Sequence, residues 1–131
     1  MIAKLMSLLK IGSPKVDLIL DTNQVKPGDK ISGVFYMEGG WVKQKLKRLE
    51  CDFVREYHGE KPEVIQPVKT VLMSDTIDSD DQTEIPFTYK LPKELPPTSE
   101  DVSYRLETKL VFTNDTKSID TDEIVVLVST S

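Results

Sequence analysis

Apolar residues recur along the chain first at a helical spacing and then at a strand spacing. Ile2, Leu5, Met6, Leu8 and Leu9 fall three and four residues apart, which predicts one apolar face of a short helix ended by Gly12 and Pro14. So short a helix is marginal alone and is expected to dock on the rest of the chain. After Pro14 the period becomes two. Val16, Leu18 and Leu20 alternate with Asp17 and Asp21, and Pro27-Gly28-Asp29 supplies a turn. Ile31, Gly33, Phe35 and Met37 form the next inward row, closed by Glu38-Gly39-Gly40.

A longer strand is expected from about Val42 to Tyr57, with Leu49, Cys51 and Phe53 on one face. Leu46 is out of phase with them, which predicts a bulge near Lys47 and Arg48. The apolar stretch Val64 to Ile77 is broken by Pro67, an edge or a bend. Ile85, Phe87, Tyr89 and Leu91 alternate around Pro86, whose missing N–H belongs at an edge or an unpaired slot. Leu91-Pro92 to Leu95-Pro96-Pro97 reads as an extended crossing between sheets. Val102, Tyr104, Leu106, Leu110 and Phe112 give the longest alternating row, and Ile124 to Val128 reads as a last strand covered on both faces.

About seven strands without βα alternation predict an all-β fold, a two-sheet antiparallel sandwich of immunoglobulin-like type with a short N-terminal helix. The divisions are a helix or arm over 1–14 and the sandwich over 15–131. A chain of 131 residues buries a core without disulfides or metals. Its net charge of −5, from 22 acidic and 17 basic residues, argues against nucleic acid as a partner. A lone cysteine, Cys51, fits a reducing compartment, so the expected location is cytoplasmic. No apolar run reaches the roughly 20 residues that span a bilayer, and Lys4 and Lys10 give the N-terminal helix little grip on a lipid surface.

Several segments resemble a known family. Lys15-Val16-Asp17, Pro27-Gly28-Asp29, Ile31-Ser32-Gly33, Gly39-Gly40 and Val42-Lys43-Gln44, with Leu46, Leu49, Cys51 and Phe53, are similar to the arrestin-like N-terminal domain of the bacterial sporulation-control family of stage-zero M type. The stretch from Ile85 through Leu91-Pro92, Leu95-Pro96 and Tyr104 to Leu110 resembles arrestin-like domains more widely. The resemblance implies a cytoplasmic, non-enzymatic regulator in developmental control, acting as an adaptor that binds other proteins. It also implies a second, similar sandwich following the first in family members. It supplies no catalytic residue and no cofactor.

Candidate chemistry in the residues themselves is sparse. His58, the one histidine, sits in a loop, Tyr57-His58-Gly59-Glu60-Lys61-Pro62, and Cys51 shares its phase with buried neighbours. No nucleophile elbow, phosphate loop or paired His/Cys metal spacing occurs. Asp75, Asp78, Asp80, Asp81 and Glu84 form the densest acidic run; it reads as a solvated loop, with a weak cation-binding or hydrolytic site as the alternative. Lys43, Lys45, Lys47 and Arg48 make a basic strip that reads most simply as a solvated, aggregation-resistant outer face, with an acidic partner patch as the alternative. Val125 and Leu127 point outward if Ile124, Val126 and Val128 point inward, so they are expected either to lie under the N-terminal helix or to mediate protein contact, including self-association through the terminal strand. The candidate protein-interaction residues are therefore Lys43, Lys45, Lys47, Val125 and Leu127.

Overall fold

The computed structural model describes residues 15–39, 44–73, 76–77, 82–114 and 116–129. The expected helix over 1–14 lies outside them. Among the described residues the chain forms β1 (Lys15–Leu20), β2 (Gln24–Val25), β3 (Lys30–Glu38), β4 (Gln44–Tyr57), β5 (Glu63–Leu72), β6 (Thr76–Ile77), β7 (Gln82–Lys90), β8 (Val102–Phe112) and β9 (Lys117–Val126). β2 and β6 are two-residue pieces, so the long strands are the seven that the alternation predicts.

The strands build two sheets. One has the order β1-β3-β7; the other runs β2-β9-β8-β4-β5, with β6 beside the start of β4. Pairing is antiparallel except between β2 and β9, which run parallel. The turn at Pro27-Gly28 follows from its residues: Gly28 takes φ of 84°, and the Asp29 N–H donates to the Lys26 carbonyl at 3.0 Å. The segment from Leu91 to Asp101 carries the chain from β7 in the first sheet to β8 in the second.

The inner faces hold Phe35, Met37, Phe53, Tyr104, Leu106, Leu110 and Ile124, all essentially inaccessible. Phe53 stacks on Tyr104 at 5.5 Å between ring centroids and touches Tyr89 of the opposite sheet at 5.7 Å. Leu46 and Leu49 are both buried although three residues apart. Leu46 pairs with Phe112 and Arg48 with Val111, so Lys47 is an extra residue and the expected bulge is present. Pro86 lies on β7 and Pro67 on β5, both edge strands. Opposite Pro67 the β4–β5 register slips, which breaks up a long edge.

One strand differs from expectation. The last strand starts at Lys117 and ends at Val126, and Val128 is 68% exposed. Its core-facing phase is Ser118, Asp120, Asp122, Ile124 and Val126, because Asp122 lies opposite buried Leu106 and Asp120 opposite buried Thr108. Acidic residues occupy inward positions while Ile119 is exposed, so the alternation is masked over the first half. Among the described residues the outer phase of this strand is covered only at Val125, which is half-buried.

Each seam between the sheets carries a hydrogen bond. On one side the Tyr89 hydroxyl of β7 donates to Gln66 Oε1 of β5 at 2.9 Å. On the other the Leu18 N–H of β1 donates to Asp120 Oδ2 of β9 at 2.8 Å.

Candidate functional site

The β1 side of the sandwich holds a groove of about 460 Å³, lined by Lys15, Val16, Asp17, Ile19, Tyr36, Glu38 and Asp120. β1 is an edge strand whose odd positions, Lys15, Asp17 and Ile19, turn away from the core. Across the sheet Asp17 lies beside Tyr36 and Tyr36 beside Glu84, while Ile19, Val34 and Pro86 form the next transverse row. Ile19 is 52% exposed, so this outer face offers an apolar strip next to a tyrosine. β9 brings Asp120 in from the other sheet.

Three carboxylates line this groove against one lysine. Burial, then the Asp120 carboxylate, raises the Asp17 pKa above the ordinary carboxylate value. Tyr36 is held above the usual phenol value by Glu84 beside it. Behind Asp120, Asp122 is raised to about 7 by burial first and then by Asp120 and Asp17. The outer face of the six-stranded sheet is different, because it pairs its own charges: Arg105 with Glu56 at 3.0 Å and with Glu107 at 3.3 Å.

The structure separates the residues singled out from the sequence. Lys45 and Lys47 are exposed at the start of β4, at the level of Phe112 on β8; Lys43 lies outside the described residues. Val125 is half-buried and Leu127 exposed, at the level of Ser103 on β8. Nine strand residues separate those levels, about 30 Å at 3.3 Å each. The strip and the Val125/Leu127 pair are therefore not one surface. Their backbone amides are paired within the chain, Val125 N–H to the Asn23 carbonyl and Leu127 N–H to the Val25 carbonyl, both at 2.7 Å.

Cys51 is fully buried, and burial pushes its thiol up to about 11, so it stays protonated at neutral pH. His58 is exposed in the β4–β5 turn, over a shallow hollow shared with Tyr57, Glu60 and Asp101. The described lining of that hollow includes no serine or cysteine. Of the acidic run, Asp75, Asp78, Asp80 and Asp81 lie outside the described residues, and Glu84 is on β7. Among the described residues no group of three or more His, Cys, Asp or Glu is arranged to hold a metal ion, and no helix is long and apolar enough to cross a membrane.

The comparisons with known proteins agree with this architecture. A family model described as SpoOM protein matches residues 2–131. The sporulation-control protein spo0M of Bacillus subtilis (strain 168) is 28% identical over 130 residues, 94% of this chain and 50% of that protein. A crystal structure of Spo0M, sporulation control protein, from Bacillus subtilis superposes with a TM-score of 0.80 at 28% identity, covering 91% of this chain and 51% of that one. The chain thus spans about half the length of the curated relative it matches. A superoxide reductase (neelaredoxin) from Ignicoccus hospitalis aligns with a TM-score of 0.50 at 16% identity, over 88% of this chain and 80% of that one. At that identity the likeness is of fold alone.

Proposed function

We propose that this chain, which belongs to the SpoOM protein family, is a non-catalytic, cytoplasmic protein-binding regulator in developmental control, and that it takes a basic, extended segment of a partner protein in the groove beside β1. The groove carries the reading: its carboxylates Asp17, Glu38 and Asp120 surround an apolar and aromatic floor of Val16, Ile19 and Tyr36. Charge selects the partner and the floor accepts its apolar side chains. An edge strand beside such a floor suits an extended peptide better than a helix.

The developmental role draws on the sporulation-control relative, and the cytoplasmic location on the single reduced cysteine. A non-catalytic role is supported by the inert Cys51.

The test is a fluorescence anisotropy titration with a labelled peptide of alternating arginine and valine. The wild-type chain is expected to bind it, more weakly as salt rises, and the double variant Asp17→Lys, Glu38→Lys is expected to lose binding. Equal affinity for the two proteins, or no binding by the wild type at low salt, would contradict the assignment.

A further inference from the structure

We propose that one proton held at Asp122 keeps the seam between β1 and β9 closed, and that its loss releases β1 and the groove that this strand lines. Asp120 and Asp122 both lie on the core-facing phase of β9. Asp120 Oδ2 accepts the Leu18 N–H at 2.8 Å, which ties one sheet to the other. Among the described residues Asp122 Oδ2 is buried and has no hydrogen-bond partner. A buried carboxylate oxygen without a donor is costly while the group is charged and far less so once it is neutral. Protonation removes that charge and makes the carboxyl an O–H donor, with the Asp120 carboxylate beside it to accept.

The groups around Asp122 favour retaining the proton. Asp120 is its neighbour on β9, β1 contributes Asp17, and Glu38 of β3 acts on Asp17 in turn. β4 contributes Cys51, protonated at neutral pH. The inward positions of β8 opposite the pair are neutral Leu106 and Thr108; Arg105, Glu107 and Lys109 occupy the other phase. Lys15, which lines the groove, is the cation on the β1 side. Burial, Asp120 and Asp17 together hold Asp122 at about 7, so the closed seam carries one negative charge fewer than the open one at mildly acidic pH. Because the pKa in the closed state exceeds that of a solvated aspartate, protonation favours closure, and the advantage is lost as pH rises to about 7.

As a control on docking, this mechanism rests on the groove being the partner site; as a latch, it does not. The test is NMR hydrogen exchange at the Leu18 amide in the full chain, expressed as protection over the intrinsic rate. In the wild type, protection is expected to fall by up to about tenfold per pH unit between about pH 5 and pH 7 and to level off above, as one linked proton requires. In Asp122→Asn, a neutral side chain of the same shape, protection is expected to stay high and flat. Constant wild-type protection, or the same fall in Asp122→Asn, would overturn the proposal. Should the variant fail to fold, a carbon-13 titration of the wild-type Asp122 carboxyl decides: a midpoint near 7 supports the latch, and an ordinary carboxylate midpoint overturns it. If the arginine-valine peptide binds at no pH while Leu18 protection still falls, the docking reading fails and the latch stands. If the peptide binds equally on both sides of the transition, control of docking is overturned.

Discussion

The Thr108 hydroxyl donates to the Cys51 sulfur at 3.5 Å, with both side chains fully buried. Cys51, Thr108 and Asp120 form one transverse row across β4, β8 and β9, so a polar line crosses the inner face and ends at the β1 seam. The thiol at the far end of this line is neutral and enclosed. A thiol reagent is therefore expected to label Cys51 slowly in native buffer and rapidly in denaturant. Equal rates would place the residue outside the core.

Tyr104 closes the opposite end of the core. Its hydroxyl donates to the Pro96 carbonyl at 2.6 Å, anchoring the crossing between the sheets, while its ring stacks on Phe53. Tyr104→Phe keeps the stack and strands the carbonyl, and is expected to cost about 1–2 kcal/mol in urea unfolding with little change in m. A neutral result would show that the crossing holds without this bond.

Gly33 of β3 lies against the Ile19 carbonyl of β1. A Cβ there would sit 2.5 Å from the Ile19 carbonyl oxygen and 3.0 Å from the Phe87 ring, so backbone has to move. Gly33→Ala is expected to destabilise by about 1–3 kcal/mol. Because the displaced strand lines the groove, peptide binding is expected to weaken as well. An unchanged melting temperature would contradict this geometry.

Much of this fold is legible in the sequence because its strands obey a period of two and its turns carry Pro and Gly. The phase slip between Leu46 and Leu49 locates the Lys47 bulge, and Pro86 and Pro67 mark edge strands. β9 is obscured for a physical reason: Asp120 and Asp122 occupy inward positions, since they close a seam instead of filling the core. Extending the Ile124 and Val126 phase backward would have reached both. The groove is hidden because its residues are local neighbours only within β1 and β3, while Asp120 arrives from a distant strand of the other sheet. The lysine strip and the Val125/Leu127 pair are each readable as surface, but their separation along β8 depends on strand order that alternation does not encode.

Global stability is expected to carry the signature of Asp122. Its folded-state pKa of about 7 lies above the unfolded carboxylate value near 3.9. The stabilisation from its protonation is thus fully present below the unfolded value and lost as pH rises through about 7. Partial solvation damps the size of the effect. Urea midpoints measured across this range are expected to fall for the wild type relative to Asp122→Asn, with the difference levelling off above neutrality. Parallel curves for the two proteins would contradict the account.

The surface that meets a partner is tested most directly by NMR shift mapping of the full chain with the arginine-valine peptide. Amide shifts are expected to concentrate on Lys15 to Leu20, Tyr36, Glu38 and Asp120, the strands around the groove. Shifts centred on Lys45 and Lys47 or on Val125 and Leu127, with β1 unmoved, would contradict it.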